Sequence, residues 1–242
     1  MTKKLLLYTK LANLYDEFYQ KIFNYKKMAV EIDKILKRYK AKKILEVACG
    51  TGHLAKYLHD FGYIIIATDL FEEILNLARK NAPEIKFLKQ DMKNLKLKQK
   101  FDAVICLGRS FTYMTTNEDV EKALNSFNKV LKRNGILIFD NFNAEKSIRN
   151  FDRYKRRTET IKLNDKVVVR KHKQSWNLST GITWNWNCEY IIKQNNKVIQ
   201  ILKDSSVLRG FLKSELEYFL EKTGFKILEF YPKEFLIVAK EI

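Results

Sequence analysis

Glu46, Gly50, Gly52, Asp69 and Asp91 are the residues of this chain whose types and spacing could do chemistry together. The two glycines lie in Ile44-Leu45-Glu46-Val47-Ala48-Cys49-Gly50-Thr51-Gly52-His53-Leu54, where an apolar run gives way to a helical one. Lacking side chains, they let the chain turn tightly and let a ligand approach the backbone amides that start the next helix. Gly50-Thr51-Gly52-His53-Leu54-Ala55 also fits the dinucleotide pattern of two glycines and a small third residue, with Asp69 after a second apolar run from Tyr63 to Ala67. By itself that pattern discriminates poorly. Two carboxylates point elsewhere: Glu46 near the end of the first strand, and Asp91 after Ile85 to Leu88. A nicotinamide dinucleotide needs no acid at Glu46. A cofactor with an ammonium group does, because a carboxylate beside a cationic amine is worth more in a partly dry cleft than in water.

Each acid also has a plain structural role open to it. Asp69 could cap the helix that runs on through Glu72 to Arg79, and Glu46 could pair with a lysine. The ordered set of turn, Asp69 and Asp91 is more specific, and over Ile44 to Asn143 it resembles the class I methyltransferase family. The resemblance implies a seven-stranded sheet and S-adenosylmethionine as methyl donor. It implies that Glu46, Ala48, Cys49, Gly50 and Gly52 wrap the methionine part, that Asp69 binds the ribose hydroxyls, and that Asp91 with the backbone of Met92 reads the adenine edge. His53, Leu54, Leu70 and Leu107 join the implied cofactor contacts. Ala48 stands where the family has its first glycine; ordinary backbone angles are expected there, which alanine tolerates.

Upstream, Tyr15-Asp16-Glu17-Phe18-Tyr19 resembles the small-molecule N-methyltransferase subgroup of glycine/sarcosine and nucleotide-linked aminosugar enzymes. There the first tyrosine lies over the cofactor and a hairpin sheet inserted after the fifth strand covers the acceptor. Read without the resemblance, Tyr15 and Tyr19 are an aromatic pair four apart on an amphipathic helix. In open parallel sheets ligands lie beyond the carboxyl ends of the strands, so the acceptor is expected near the segments after Leu107 and Asn141. Tyr15 and Tyr19 are candidates to orient it, Phe111 and Tyr113 to wall it, and Arg109 to hold an anionic part; Arg109 could equally pair with a surface acid. Neither segment holds the Asn/Asp-Pro-Pro-aromatic motif of nucleic-acid amino-methylating enzymes. Transfer from a sulfonium is an in-line displacement that needs alignment and desolvation. No general base is identified among His53, His59 and His172, and a neutral amine needs none.

The elements that must position these residues follow from periodicity. Helical spacing runs from Asn13 to Tyr39. Strands are predicted at Lys43 to Val47, Ile64 to Thr68, Lys86 to Lys89, Ala103 to Leu107 and Ile136 to Asn141. They alternate with helices at Leu54 to Asp60, Phe71 to Asn81 and Asn117 to Leu131, and Gly135 reads as the end of the last of these. The pattern means an α/β, doubly wound, Rossmann-like sheet. After a helix at Lys213 to Lys222, strands at Lys226 to Tyr231 and Phe235 to Ala239 form a hairpin, which makes the last strand antiparallel. Residues 151–206 read as an inserted antiparallel β-sheet subdomain, with turns at Asn164-Asp165, Ser179-Thr180-Gly181 and Asn195-Asn196, inside a cofactor domain of residues 1–150 and 207–242. Trp184 and Trp186 share one face of it, which either packs on the main domain or a second subunit, as in a homodimer, or roofs the substrate cleft.

A chain of 242 residues with 46% hydrophobic content can bury one sizeable core plus this elaboration. No apolar run reaches the roughly 20 residues needed to span a bilayer, and the N-terminus from Met1 to Lys4 leads into only a short leucine run, so a cytoplasmic protein with no membrane partner is expected. Cys49, Cys106 and Cys188 lack metal-ligand spacing; they are expected to be reduced, and no metal is expected. The net charge of +18 attracts anions without choosing among them. Much of it is lysine spread along helix faces, but Arg149 to Lys173 holds ten basic against three acidic residues. That cluster suggests an anionic small-molecule acceptor, methylated at nitrogen or oxygen. The alternatives are an RNA methyltransferase, a non-catalytic S-adenosylmethionine-binding protein and, more remotely, a nicotinamide enzyme; no recognisable RNA-binding module favours the first.

Overall fold

The computed structural model of the chain describes residues 5–163 and 165–242; Met1 to Lys4, and Asn164 of the expected Asn164-Asp165 turn, lie outside the described residues. Two N-terminal helices, α1 (Ala12–Ile22) and α2 (Tyr25–Arg38), precede an alternation of strands and helices. This runs β1 (Lys43–Val47), α3 (His53–Asp60), β2 (Ile64–Asp69), α4 (Glu72–Asn81), β3 (Lys86–Lys89), β4 (Phe101–Cys106), α5 (Asn117–Val130) and β5 (Leu131–Asp140). A second sheet follows, made of β6 (Phe142–Asn143), β7 (Arg156–Leu163), β8 (Lys166–Trp176), β9 (Ile182–Gln194) and β10 (Lys197–Phe211), with short helices α6 (Ala144–Arg149) and α7 (Phe151–Tyr154) between its first two strands. Helix α8 (Lys213–Lys222) and the hairpin β11 (Phe225–Tyr231) and β12 (Leu236–Glu241) complete the chain.

The seven-stranded sheet has the order β11-β12-β5-β4-β1-β2-β3. Strands β1 to β5 are parallel, and β12 enters antiparallel between β5 and β11. Order reverses beside β1, because β2 lies on one side of it and β4 on the other. The carboxyl ends of β1, β2 and β4 therefore open onto one crevice, the usual ligand position in such sheets. Apolar residues make these strands: Ile44, Val104, Leu137 and their neighbours are buried against helices on both faces. Helix α5 is fixed at its start by the Thr116 hydroxyl, which accepts from Asp119 N at 3.1 Å, and buries Val120, Ala123, Leu124, Phe127 and Val130 at helical spacing.

Gly135 does not end that helix. The helix stops at Val130 and Leu131 already pairs with Phe101, after which the register jumps to Ile136 opposite Ala103. The intervening residues bulge, with Asn134 taking the left-handed conformation (φ 63°). Gly135 is required for a different reason, since a Cβ there would lie 2.8 Å from the Lys132 carbonyl oxygen.

In the second sheet Trp184, Trp186, Cys188 and Tyr190 alternate along β9 and face inward. Trp184 packs edge-on to Phe142 and Trp176, and Trp186 stacks on His172 at 4.3 Å. The tryptophan face thus packs within the chain, against Phe142 among others, and neither tryptophan lines the cavity described below.

Candidate active site

A cavity of about 610 Å³ opens at the carboxyl ends of β1, β2 and β4. Its wall includes Tyr15, Tyr19, Glu46, Ala48, Cys49, Gly50, His53, Leu54, Asp69, Leu70, Asp91, Met92 and Leu107. Three residues expected at the site, Gly52, Arg109 and Phe111, are not part of it.

The floor is the turn from β1 to α3. Gly50 has φ 56°, and its N–H donates to Asp69 Oδ2 at 3.0 Å, so an acid at the end of β2 holds the turn in shape. Asp69 Oδ1 accepts from Phe71 N at 3.2 Å, a local turn contact and not a cap on the first residue of α4. Ala48 does not have ordinary angles: its φ is 56°, a left-handed conformation that costs a non-glycine residue about 1–2 kcal/mol. Gly52 (φ 80°) is required by packing, because a Cβ there would lie 2.8 Å from the Phe87 ring.

Two buried carboxyl groups make the floor acidic. Glu46 is buried, and its Oε2 has no hydrogen-bond partner among the described residues. Burial first, and the neighbouring Asp69 second, push its carboxyl up to about 8. Burial likewise raises Asp69, to about 6, against the opposing bonds from the Gly50 and Phe71 amides. Asp91, at the far end, accepts from Lys93 N at 2.9 Å.

The roof is aromatic. Tyr15 and Tyr19 sit one turn apart on α1 with ring centroids 4.4 Å apart, and a Cβ on Gly50 would lie 3.4 Å from the Tyr15 hydroxyl. Tyr8, in the 3₁₀ turn Leu6–Tyr8, stacks on Phe71 at 5.6 Å and shares a 3.0 Å hydrogen bond with the Tyr113 hydroxyl. Tyr8 escaped the sequence reading, although it precedes Tyr15 by two turns' worth of residues. Burial, with neighbouring phenols adding to it, holds Tyr8 and Tyr15 well above the ordinary phenol value; burial also raises Tyr19. The second sheet contributes Ser205 to Val207 of β10 to the wall.

Arg109 is bound elsewhere. Its backbone N–H donates to Asp140 Oδ1 at 2.8 Å, its Nε lies 3.3 Å from Asp140 Oδ2, and Nη1 donates to the Asn141 carbonyl. The acid that holds it, at the end of β5, is largely buried and not a surface acid, and this pairing keeps Arg109 out of the cavity wall. Phe111 is likewise core, packed on Phe127, Phe139 and Phe211, whereas Tyr113 does reach the cavity. His53 turns its Nε2 to Asp16 Oδ1 at 2.7 Å.

The acidic floor, glycine turn and aromatic roof suit a nucleoside carrying cationic groups, and known sequences resemble the segment that carries the turn. A family profile described as a methyltransferase domain matches residues 44–135, the segment that holds β1 to α5 and the turn. Residues 44–135 are thus similar to a methyltransferase domain. The chain is 38% identical over 118 residues to a glycine/sarcosine N-methyltransferase of Aphanothece halophytica, covering 46% of this chain and 44% of the relative. It is 32% identical over 133 residues to dTDP-3-amino-3,4,6-trideoxy-alpha-D-glucopyranose N,N-dimethyltransferase of Streptomyces venezuelae, covering 53% and 56%. The chain spans about half the length of the curated relatives it matches. Among solved structures, Streptomyces venezuelae DesVI superposes with a TM-score of 0.83 at 24% identity, covering 96% of this chain and 98% of that one. The shared fold therefore runs through the second sheet to the C-terminus.

Proposed function

We propose that this chain transfers a methyl group from S-adenosylmethionine to a nitrogen, or alternatively an oxygen, of a small acceptor with an anionic part. The observation that carries the reading is the unpartnered, buried Glu46 Oε2 on a glycine-turn floor facing a roof of neutral phenols. A lone buried carboxylate oxygen is costly unless a cation completes it. In this reading Glu46 holds the ammonium of the cofactor's methionine part, Asp69 its ribose hydroxyls, and Asp91 with Met92 its adenine edge. When bound, the cofactor would supply an electrophilic methyl carbon with a neutral thioether as its leaving group. The chain's own contribution is alignment and exclusion of water. Tyr15 and Tyr19 orient by ring face and hydroxyl; with their phenols raised by burial they do not act as bases. The acceptor's extra proton leaves to solvent.

An anionic acceptor is supported by a second opening of about 630 Å³, lined by Arg156, Lys171, Lys173 and Lys203 and sharing Ser205 with the main cavity. The known small-molecule relatives act on an amine, which favours nitrogen. Among the described residues no helix is long and apolar enough to cross a membrane. We assign the protein to the cytoplasm on its three buried, unpaired thiols.

Calorimetric titration of S-adenosylhomocysteine and NAD tests the cofactor, followed by methyl transfer to glycine, sarcosine and a nucleotide-linked aminosugar. Binding of S-adenosylhomocysteine alone and turnover of one amine is the expected result. Failure to bind it overturns the reading, and salt-dependent RNA binding with RNA methylation would replace the acceptor.

A further inference from the structure

The second sheet contains a buried cation that the reading above leaves unused. Arg170, on β8, is 7% exposed. Its Nε donates to Glu159 Oε2 on β7 at 2.8 Å, Nη2 donates to the same oxygen, and Nη1 donates to the Tyr19 hydroxyl at 3.3 Å. The guanidinium carbon lies 4.5 Å from the ring of Phe18. Phe18 and Tyr19 are consecutive on α1, so one side chain of the sheet grips two of the helix.

Burying a guanidinium costs several kcal/mol before partners offset it, and an apolar side chain would fill the space at lower cost. What arginine adds is direction: a planar fork with fixed N–H vectors that stacks on one ring while bonding a second. Occupying a lone pair of the Tyr19 oxygen fixes where that ring can turn. The Tyr19 ring packs on Tyr15 at 4.4 Å, and Tyr15 reaches Gly50. One turn earlier on the same helix, Asp16 bonds His53 in the turn itself. Helix α1 is thus held at one point by the floor and at another by the sheet.

We propose that Arg170 is a positioning residue for the cofactor site: it holds Tyr19, and through it Tyr15, against the glycine turn, so that cofactor retention depends on the inserted sheet. This rests on the cofactor reading of the cavity. Arg170 itself is not part of the cavity wall.

The test compares Arg170→Met, Arg170→Lys, Tyr19→Phe and the Arg170→Met/Tyr19→Phe pair by calorimetry with S-adenosylhomocysteine. Gln194→Ala, which breaks a contact with Asp165 near the hairpin end of the same sheet, is the control. Arg170→Met is expected to weaken binding about tenfold and to raise the cofactor KM more than it lowers kcat. Arg170→Lys recovers part of the loss, since it restores the charge and not the fork. Tyr19→Phe adds little to Arg170→Met, because both remove one interaction; Gln194→Ala binds as the natural chain does. Equal affinity in Arg170→Met, or full additivity with Tyr19→Phe, overturns the proposal. If Arg170→Met does not fold, natural affinity in both Arg170→Lys and Tyr19→Phe overturns it. If the natural chain binds no S-adenosylhomocysteine, the cofactor reading fails separately. Trypsin cleavage at Lys21 in the ligand-free protein then decides whether Arg170 holds α1: faster cleavage in Arg170→Met supports the grip, and equal rates refute it.

Discussion

Asp16 Oδ1 lies 2.7 Å from His53 Nε2, which pins the helix that roofs the cavity to the turn that floors it. Burial alone would raise the Asp16 carboxyl, but bonds with His53, Thr51 and Asn81 hold it below its ordinary value of 3.8. A depressed folded pKa contributes stability above the unfolded value and loses it as pH falls through the folded one. Asp16→Asn is therefore expected to cost about 1–2 kcal/mol at pH 7. The gap from the natural chain should close below pH 3.8, the unfolded value. Urea unfolding across pH checks this; a gap that stays constant would refute the assignment.

Glu46 predicts a pH dependence of the opposite sign. Its folded pKa, about 8, lies above the unfolded 4.5, so its contribution to the stability of the ligand-free chain is present below 4.5 and is lost as pH rises through 8. A bound ammonium needs the ionised form, so binding should release a proton near neutrality and tighten toward pH 8. Glu46→Gln should melt higher than the natural chain at pH 8, and bind S-adenosylhomocysteine about ten- to a hundredfold more weakly. Calorimetry in buffers of different ionisation enthalpy measures the released proton, which should vanish in the variant.

The two glycines of the turn should fail in different ways. Gly52→Ala meets Phe87 at 2.8 Å and strains φ, a loss of about 2–4 kcal/mol in stability. Adding Phe87→Leu should recover part of it. Gly50→Ala meets nothing closer than 3.4 Å and should cost about 1–2 kcal/mol while abolishing cofactor binding. Thermal unfolding paired with calorimetry separates the two.

Ala48 already carries strain at φ 56°. Ala48→Gly should therefore stabilise the fold by about 1 kcal/mol, read as a higher urea midpoint at unchanged slope. A lower midpoint would mean that its methyl packing outweighs the strain.

Much of the architecture was legible because local signals agree. Short apolar strands alternating with helices specify the sheet, and the hairpin at Pro232-Lys233-Glu234 specifies its antiparallel edge. The turn, Asp69 and Asp91 could be found together because each follows its own strand. What escaped depends on conformation or distant contact. Nothing in the letters around Ala48 reports a positive φ, and Gly135 looks like a helix end until the bulge beside it is seen. Arg109 could face a ligand or an acid, and only the position of Asp140 decides. Tyr8 belongs to the roof through Phe71 and Tyr113, contacts that no local window contains.

The roof also has a history during synthesis. The floor is complete once Leu107 has been made, yet the Leu6 amide that seats the first roof turn donates to Asp204, 198 residues later in the chain. A growing polypeptide released from the ribosome before β10 would have an open trough in place of a closed chamber. Closure of such long-range contacts is slow compared with local helix formation. The nascent protein should thus pass through a stage that admits the cofactor but does not retain it, and premature termination before residue 204 would leave it there.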